Sequence, residues 1–363
     1  MRADIALIGF GNVGRRFARL LAERADRLAA EYDLTCLIVG ISTRRHGAVA
    51  RAEGIDVERA LASVESGGSL TPMEDQTGGP APATSFEIIE RLAGSDADLR
   101  VVVETTTLDI AAGQPAIDHV RAAFAAGCHI VTANKGPAAF AWAALRAEAE
   151  AAGVSFLFEG AVMDGVPVFN LVRETLPAVE VLGFRGVLNS TTNHILSALE
   201  DGDEFGPALA RMQAEGIAEA DPSLDIDGWD AAAKTSALAN VLMDARMTPH
   251  TVRRTGIGPG SGPIAREARA KGQRLRLVAS VTRRADGDID ALVAPVELPG
   301  DDLLAGLRGQ ANAVVIKTDL LGEIAICQLD GSLTQTAYAL LSDLVTVRKR
   351  QGAPRAAPAR RTP

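Results

Sequence analysis

Three glycines near the N-terminus constrain the fold of this chain more than any other feature. They follow the apolar run at residues 5–8, a predicted strand, in the order Gly9-Phe10-Gly11-Asn12-Val13-Gly14. An apolar helical pattern begins directly after them. In this context the first glycine permits a tight turn, the second lets the backbone approach a pyrophosphate, and the third lets helix and strand pack closely. We therefore predict that residues 9–14 bind a dinucleotide, with a turn that binds no ligand as the alternative.

The pattern after this turn predicts an α/β fold. Apolar runs at 34–41, 100–103 and 129–131 read as strands, and 115–126 and 137–152 read as helices. Strands that alternate with helices of this length are typical of a parallel sheet. We expect a Rossmann-type dinucleotide-binding domain over residues 1–150, interrupted by a mobile loop rich in Gly, Ser and Pro at 66–83.

The second half of the chain has a different pattern. Helical segments at 193–199, 206–215 and 230–245 are followed by strand-like runs within 271–298 and 311–327. This predicts a mixed α+β substrate-binding domain over 151–330. A helix at 331–347 is expected to return to the first domain. Residues 348–363 are mainly Arg, Ala and Pro, which predicts a disordered basic tail.

Composition excludes several classes of protein. The formal net charge is −9, which argues against a nucleic-acid or anionic-membrane partner. No apolar run approaches the ~20 residues that span a bilayer. Three scattered cysteines form neither a disulfide framework nor a metal cluster. We expect a soluble cytoplasmic protein.

The end of the second predicted strand bears on the choice of dinucleotide. NAD-binding proteins usually have an acidic residue there, but this chain has Ser42-Thr43-Arg44-Arg45. Two guanidinium groups could bind a 2′-phosphate, so we favour NADP over NAD, with solvated surface arginines as the alternative. Thr105 and Thr106 follow the third main strand at the edge where ligands bind in such sheets.

An acid–lysine pair marks a second candidate site. Asp230 and Lys234 are four residues apart on a predicted helix, so their side chains share one face. The pair is either a solvated ion pair or, if a cleft closes over it, a group that exchanges a proton with a substrate oxygen. Spacing alone favours the solvated pair.

Separated motifs carry a family resemblance. Besides the glycine turn, they are Thr132-Ala133-Asn134-Lys135, a segment at 159–167, Asn189-Ser190-Thr191-Thr192-Asn193 after Gly186, and the long segment 219–234. In this order and spacing they resemble the homoserine dehydrogenase family over about residues 1–345. The resemblance implies NAD(P)-dependent interconversion of L-aspartate 4-semialdehyde and L-homoserine.

The resemblance also implies roles for individual residues. Lys234 is expected to donate the proton, with Asp230 beside it and Lys135 as a second functional lysine close to the cofactor. Expected substrate-binding residues are Glu219, Asp225, Thr192 and Gly186. Thr192 could instead cap a helix.

Some family members bind a monovalent cation such as sodium, and relatives are commonly homodimers through the second domain. The positions that match the cation site are Glu159, Val162, Asp164 and Val166. No amino-acid-sensing domain follows residue 347, so we expect no threonine feedback through such a domain.

The chain departs from the family pattern at Met163, Asp164 and Ser190, and at the turn 330–333. These departures leave two alternatives open. One is a dehydrogenase of the same scaffold that acts on another amino acid or semialdehyde. The other is a dinucleotide-binding protein without catalysis, against which the joint presence of both lysines and Asp230 argues.

Overall fold

The computed structural model describes residues 1–70, 84–215, 217–218 and 221–351. Most of the predicted loop at 66–83 and the predicted substrate ligand Glu219 lie outside these residues. Within them, the chain forms two six-stranded sheets. None of the described helices is both long and apolar enough to cross a membrane.

The first sheet has the strand order of a Rossmann fold. Its strands are β1 (Arg2–Ile8), β2 (Thr35–Thr43), β3 (Gly47–Ala50), β4 (Leu99–Glu104), β5 (His129–Thr132) and β6 (Phe156–Leu157), in the spatial order β3-β2-β1-β4-β5-β6. All neighbours are parallel except β2 and β3, since a short turn reverses the chain there. The sheet extends past position 150, where the sequence predicts the end of the first domain.

The helices of the first half of the chain are α1 (Asn12–Glu23), α2 (Ala25–Tyr32), α3 (Val57–Glu65), α4 (Ser85–Ala93), α5 (Ala116–Ala125) and α6 (Gly136–Ala152).

Strand register aligns three loops at the carboxyl edge of this sheet. Ile8 at the end of β1 pairs with Glu104 at the end of β4, and Glu104 pairs with Thr132 at the end of β5. The loops after these strands therefore begin side by side. They carry the glycine turn, the Thr105–Thr106 pair and Lys135.

The second sheet is mainly antiparallel. Its strands are β7 (Val181–Val187), β8 (Arg253–Arg254), β9 (Gln273–Arg283), β10 (Ile289–Pro299), β11 (Asn312–Thr318) and β12 (Glu323–Gln328), in the order β12-β11-β7-β9-β10-β8. Only the short β8 runs parallel to its neighbour. The helices of the second half of the chain are α7 (Val168–Asn170), α8 (Ser190–Glu200), α9 (Phe205–Ala214), α10 (Ser223–Ile226), α11 (Trp229–Met243) and α12 (Ser261–Ala270). A 3₁₀ turn at Glu159–Ala161 precedes them.

The last helix, α13 (Leu333–Gln351), packs against α1 and returns to the first domain. It buries Ala337, Leu340 and Leu344 in the core of the first sheet. The helix continues past the predicted end at 347, so the prediction of a disordered tail is wrong for 348–351. Ion pairs of Arg348 with Asp33 and of Arg350 with Glu174 hold this extra turn. Residues 352–363 lie outside the described part of the chain.

Helix α11 joins the two halves. It packs against α6, and Asn240 donates hydrogen bonds to the carbonyls of Ala138 and Ala139 at 3.1 and 3.2 Å. Alanines on the buried surface of α11 permit this close approach, among them Ala232, Ala233 and Ala237. The contact fixes the first turn of α11, which carries Asp230, relative to the start of α6, which follows Lys135.

Candidate active site

The glycine turn has the geometry that a dinucleotide requires. Gly9 has φ +95°, and a Cβ there would lie 2.7 Å from the backbone of Thr105. A Cβ on Gly14 would lie 2.5 Å from the carbonyl oxygen of Gly9, whereas a Cβ on Gly11 would meet nothing within 4 Å. Two glycines therefore permit close packing, and the middle one faces the open space that a phosphate needs.

The start of α1 is suited to an anion. Gly11 is its N-cap and supplies no side-chain acceptor, unlike the caps of α3, α4 and α8, where Asp56, Thr84 and Asn189 accept a backbone N–H. The N–H groups of the first turn are therefore available to phosphate oxygens. Among the predicted cofactor-binding residues, Phe10 is buried in the core, so only its backbone faces this turn.

A cavity of about 270 Å³ lies between the two domains. It brings together the start of α1, the loops after β4 and β5, and the second domain. The lining includes Val13, Thr105, Thr106 and Lys135 from the first domain, Asp164, Ser190 and Lys234 from the second, and Thr336 from α13. The predicted dinucleotide turn and the predicted catalytic lysines thus border one space.

Asp230 lies between the two lysines that line this cavity. Its Oδ2 is 2.9 Å from Lys234 Nζ, and its Oδ1 is 3.3 Å from Lys135 Nζ. Lys234 Nζ also donates a 2.6 Å hydrogen bond to the carbonyl of Leu188. The Asp230 and Lys234 side chains are each only 16% exposed, so the solvated ion pair that spacing alone favoured is wrong.

The electrostatics of the cluster follow from burial and charge. Burial by itself would lower the pKa of Lys234, but the Asp230 carboxylate outweighs it and the pKa is raised. Burial would likewise raise the pKa of Asp230, yet the two ammonium groups hold it well below its usual range. The cluster therefore keeps Lys234 protonated and Asp230 ionised.

Asn189 organises the neighbouring carboxylates, a role that its position in the sequence did not predict. Its Nδ2 donates to Asp225 Oδ1 at 2.7 Å and to Asp230 Oδ2 at 2.9 Å, while its Oδ1 accepts the N–H of Thr192 at 2.8 Å. Burial and the Asp230 charge raise the pKa of Asp225. The available signal was that Asn is a favoured N-cap and that a helix follows.

Two of the residues predicted to bind the substrate make contacts that hold the second domain together. Thr192 is fully buried in the first turn of α8, and its hydroxyl donates to Asn189. Asn189 is the N-cap of this helix, so the alternative that Thr192 caps it is wrong. Gly186 lies inside β7, where a Cβ would be 2.6 Å from the carbonyl oxygen of Ala313. Close approach of β11 explains this glycine, and it does not line the described cavity.

The predicted cation ligands lie beside the cavity, in the segment that joins the domains. Glu159 is buried and accepts the N–H groups of Phe169 and Asn170 at 2.8 and 2.7 Å. Asp164 accepts hydrogen bonds from Gln328 at 2.7 Å and from Thr336 at 2.9 Å. Among the described residues, no three His, Cys, Asp or Glu side chains converge on a possible metal position.

Arg44 and Arg45 lie in the exposed turn between β2 and β3. The carboxyl end of β2 is occupied by Ser42, whose carbonyl accepts the N–H of Gly9 at 2.9 Å. The glycine turn is therefore hydrogen-bonded to the end of the strand that precedes the two arginines.

Comparison with known proteins agrees with this arrangement. Family models described as the NAD-binding domain of homoserine dehydrogenase and as homoserine dehydrogenase match residues 9–159 and 167–345. An NAD(+)-dependent homoserine dehydrogenase of Pseudomonas canavaninivorans is 37% identical over 94% of this chain and 95% of its own length. The chain belongs to the homoserine dehydrogenase family.

Two further relatives support the assignment. A homoserine dehydrogenase of Methanocaldococcus jannaschii is 34% identical over 95% of this chain and 98% of its own length. A solved hyperthermophilic archaeal homoserine dehydrogenase in complex with NADPH superimposes with a TM-score of 0.77 at 28% identity, and the match covers 96% of this chain and 98% of that one. The protein is an NAD(P)-dependent homoserine dehydrogenase, an oxidoreductase that acts on a CH–OH group. The function implied by the resemblance is confirmed.

Proposed function

We propose that Lys234 donates the proton to the substrate oxygen when L-aspartate 4-semialdehyde is reduced to L-homoserine, and accepts it in the reverse reaction. The observation that carries this proposal is that the Lys234 ammonium lines the cavity bordered by the glycine-turn helix. An ammonium group has three N–H donors. Those towards Leu188 and Asp230 account for two, so one remains for the substrate oxygen.

Asp230 and Lys135 complete the proton-transfer group. The Asp230 carboxylate orients Lys234 and stabilises its charged form. Lys135, 3.3 Å from the same carboxylate, places a second positive charge where negative charge develops on the substrate oxygen. Bound nicotinamide supplies the hydride in the reducing direction and accepts it in the other.

Asp225 and Glu219 bind the amino-acid end of the substrate. A substrate with an α-ammonium group needs carboxylate partners, and Asp225 lies next to Asp230 through their shared donor, Asn189. Glu219 is assigned from the resemblance. Thr192 acts through Asn189, because its buried hydroxyl and N–H contact that side chain.

The preferred dinucleotide is NADP, with NAD as the alternative. Arg44 and Arg45 are exposed, and neither has an ion pair or hydrogen bond with the described residues. Both guanidinium groups are thus available to a 2′-phosphate. Substitution of both by Ala is expected to raise the KM for NADP⁺ and leave the KM for NAD⁺ unchanged. An equal effect on both would contradict this preference.

A monovalent cation such as sodium binds through Glu159 and the carbonyls of Val162 and Val166. Oxygen donors suit hard cations, and each Glu159 oxygen accepts one N–H and so retains a lone pair. The Asp164 carboxylate is engaged by Gln328 and Thr336, so only its backbone carbonyl is offered. Higher thermal stability in sodium chloride than in choline chloride at equal ionic strength is expected, and equal stability would refute the site.

The protein assembles as a homodimer through the second sheet. Helices α8, α11 and α12 pack on one face of that sheet. On the other face, Leu292 and Ala294 are half-buried and Ala325 and Cys327 are exposed. Light scattering after gel filtration is expected to give twice the chain mass, and Ala325→Arg is expected to lower it. A wild-type monomer at every concentration would contradict the dimer.

The location is the cytoplasm. Cys36, Cys128 and Cys327 are all free thiols, which suits a reducing compartment. Fractionation of the source cells, with detection of the protein, tests this location.

The activity assay compares homoserine with NADP⁺ and with NAD⁺ and follows nicotinamide absorbance. Turnover with homoserine is expected. Absence of turnover with either nucleotide would support a different semialdehyde substrate. Wild-type turnover in Lys234→Ala would contradict the proposed role of this lysine.

A further inference from the structure

Glu104 is a fully buried carboxylate directly behind the cavity. It is the last residue of β4, its exposed fraction is 0%, and it is not among the residues that line the cavity. The carboxylate has no Lys or Arg partner among the described residues. A buried carboxylate without a cationic partner is costly unless it accepts hydrogen bonds. The Glu104 carboxylate therefore needs hydrogen-bond donors from the surrounding residues.

Those donors come from two of the loops that border the cavity. Glu104 Oε1 accepts the N–H of Thr106 at 3.0 Å and also its hydroxyl. Glu104 Oε2 accepts the hydroxyl of Thr132 at 2.9 Å. One carboxylate therefore joins the loop after β4 to the end of β5.

Asn134 extends this network to Lys135. Its N–H donates to Thr132 Oγ1 at 2.9 Å, its Nδ2 donates to the carbonyl of Thr106 at 3.0 Å, and its Oδ1 accepts the N–H of Gly136 at 2.8 Å. The backbone on both sides of Lys135 is therefore held by bonds that lead back to Glu104. On the other side of the network, the Thr105 hydroxyl donates to the Gly9 carbonyl at 2.8 Å.

His119 closes the remaining side of Glu104. Its Nδ1 is 3.8 Å from Glu104 Oε1 and makes no hydrogen bond, while its Nε2 is 2.8 Å from the Ser85 hydroxyl. The ring is 3% exposed. Glu104 is thus enclosed between α5 and the two loops. Because its side chain is not exposed to solvent, bulk water does not compete for its hydrogen bonds.

We infer that Glu104 is a positioning residue for catalysis: through Thr106, Thr132 and Asn134 it fixes the loop that directs Lys135 towards Asp230. This inference rests on the role proposed above for Lys135. It follows because the Lys135–Asp230 contact crosses the domain interface and depends on where the first-domain loop is held. A shift of about 1 Å at such a contact can reduce turnover by about 100-fold.

The test uses Glu104→Gln, which keeps the size of the side chain but removes the charge and one acceptor oxygen. We expect kcat for homoserine oxidation to fall by about 10- to 100-fold. The matched control is Glu200→Gln, which removes a carboxylate whose side chain is 1% exposed and binds Arg276, away from the cavity. The control is expected to lower the thermal midpoint but to keep wild-type kcat at temperatures where it is folded.

A double-mutant cycle with Lys135→Ala separates positioning from general loss of structure. If Glu104 acts through Lys135, Glu104→Gln should reduce kcat far less in the Lys135→Ala background than in the wild type. Independent, multiplicative effects would overturn the inference, as would wild-type kcat in Glu104→Gln. If Lys135→Ala itself retained wild-type kcat, the role of Lys135 would fall, and this inference with it.

Thr132→Val keeps the test available if Glu104→Gln does not fold. It removes one donor to the carboxylate and the acceptor for the Asn134 N–H, but leaves Glu104 ionised. The inference is supported if Thr132→Val reduces kcat by less than the roughly 10- to 100-fold expected for Glu104→Gln, and if Lys135→Ala again suppresses this reduction. An unchanged kcat contradicts it.

Discussion

The ammonium of Lys135 lies 3.3 Å from the carboxylate of Asp230. Lys135 follows strand β5 of the dinucleotide-binding domain, whereas Asp230 lies in the first turn of α11 in the second domain. This contact brings the two predicted catalytic segments to one cavity. It also makes catalysis depend on how the domains are packed, since neither segment alone assembles the charged cluster.

Loss of Lys234 should abolish most turnover. Lys234→Ala removes the proton donor, for which a decrease in kcat of about 10²- to 10⁴-fold is expected. The matched control is Lys271→Ala, because Lys271 and Glu267 form a pair of the same spacing whose side chains are 53% and 68% exposed. Steady-state kinetics should show wild-type kcat for the control. Nucleotide binding, measured by fluorescence titration, should be retained in both.

Replacement of Asp230 should shift the pH dependence of activity. Asp230 raises the pKa of Lys234 against the effect of burial, so Asp230→Asn should lower that pKa. Reduction of the semialdehyde needs protonated Lys234, and its rate should therefore begin to fall at a lower pH in the variant. Profiles of kcat against pH for reduction test this. A fall that begins at the same or a higher pH would show that Asp230 does not stabilise the ammonium.

The glycines of the turn should respond differently to substitution by Ala. In Gly14→Ala the new Cβ would lie 2.5 Å from the Gly9 carbonyl oxygen, so the thermal midpoint of the free enzyme should fall. In Gly11→Ala the new Cβ meets no atom within 4 Å, so that midpoint should be unchanged while nucleotide affinity decreases. Thermal unfolding with and without nucleotide distinguishes the two. Unchanged affinity in Gly11→Ala would mean that phosphate does not approach this position.

The ion pair of Arg276 and Glu200 should support stability. Both side chains are 1% exposed and lie 2.6 Å apart, and Arg276 also donates to the carbonyls of Ala305 and Leu307. Arg276→Met leaves the buried Glu200 carboxylate with only the more distant Arg274, at 3.7 Å, as a cationic partner. The free energy of unfolding should therefore fall by about 3 kcal/mol, the lower end of the range for breaking a buried ion pair. Denaturant unfolding measures this loss.

Arg27→Met is the control for that pair. Arg27 and Glu31 form an ion pair with side chains 66% and 45% exposed, so its loss should leave the free energy of unfolding almost unchanged. Equal losses in the two variants would contradict the importance of burial.

Particular residues show how far the sequence could predict the site. The glycine turn was predictable because its function depends on backbone geometry that only glycine permits, in an order of strand, turn and helix visible in the chain. Lys135, Asp230 and Lys234 were predictable as members of motifs. Their mutual contact was not, since spacing along one helix cannot reveal a partner from another domain.

The sequence by itself determined the alternation of strands and helices, the dinucleotide turn and the segments that carry the lysines, because local periodicity and backbone requirements are encoded in neighbouring residues. Only the tertiary structure decided that Asn189 links two carboxylates, that Gly186 serves the packing of β11, and that Glu104 lies behind the loops of the cavity. Those outcomes depend on contacts between residues far apart in the chain, and such contacts are set by how the two sheets and their helices pack.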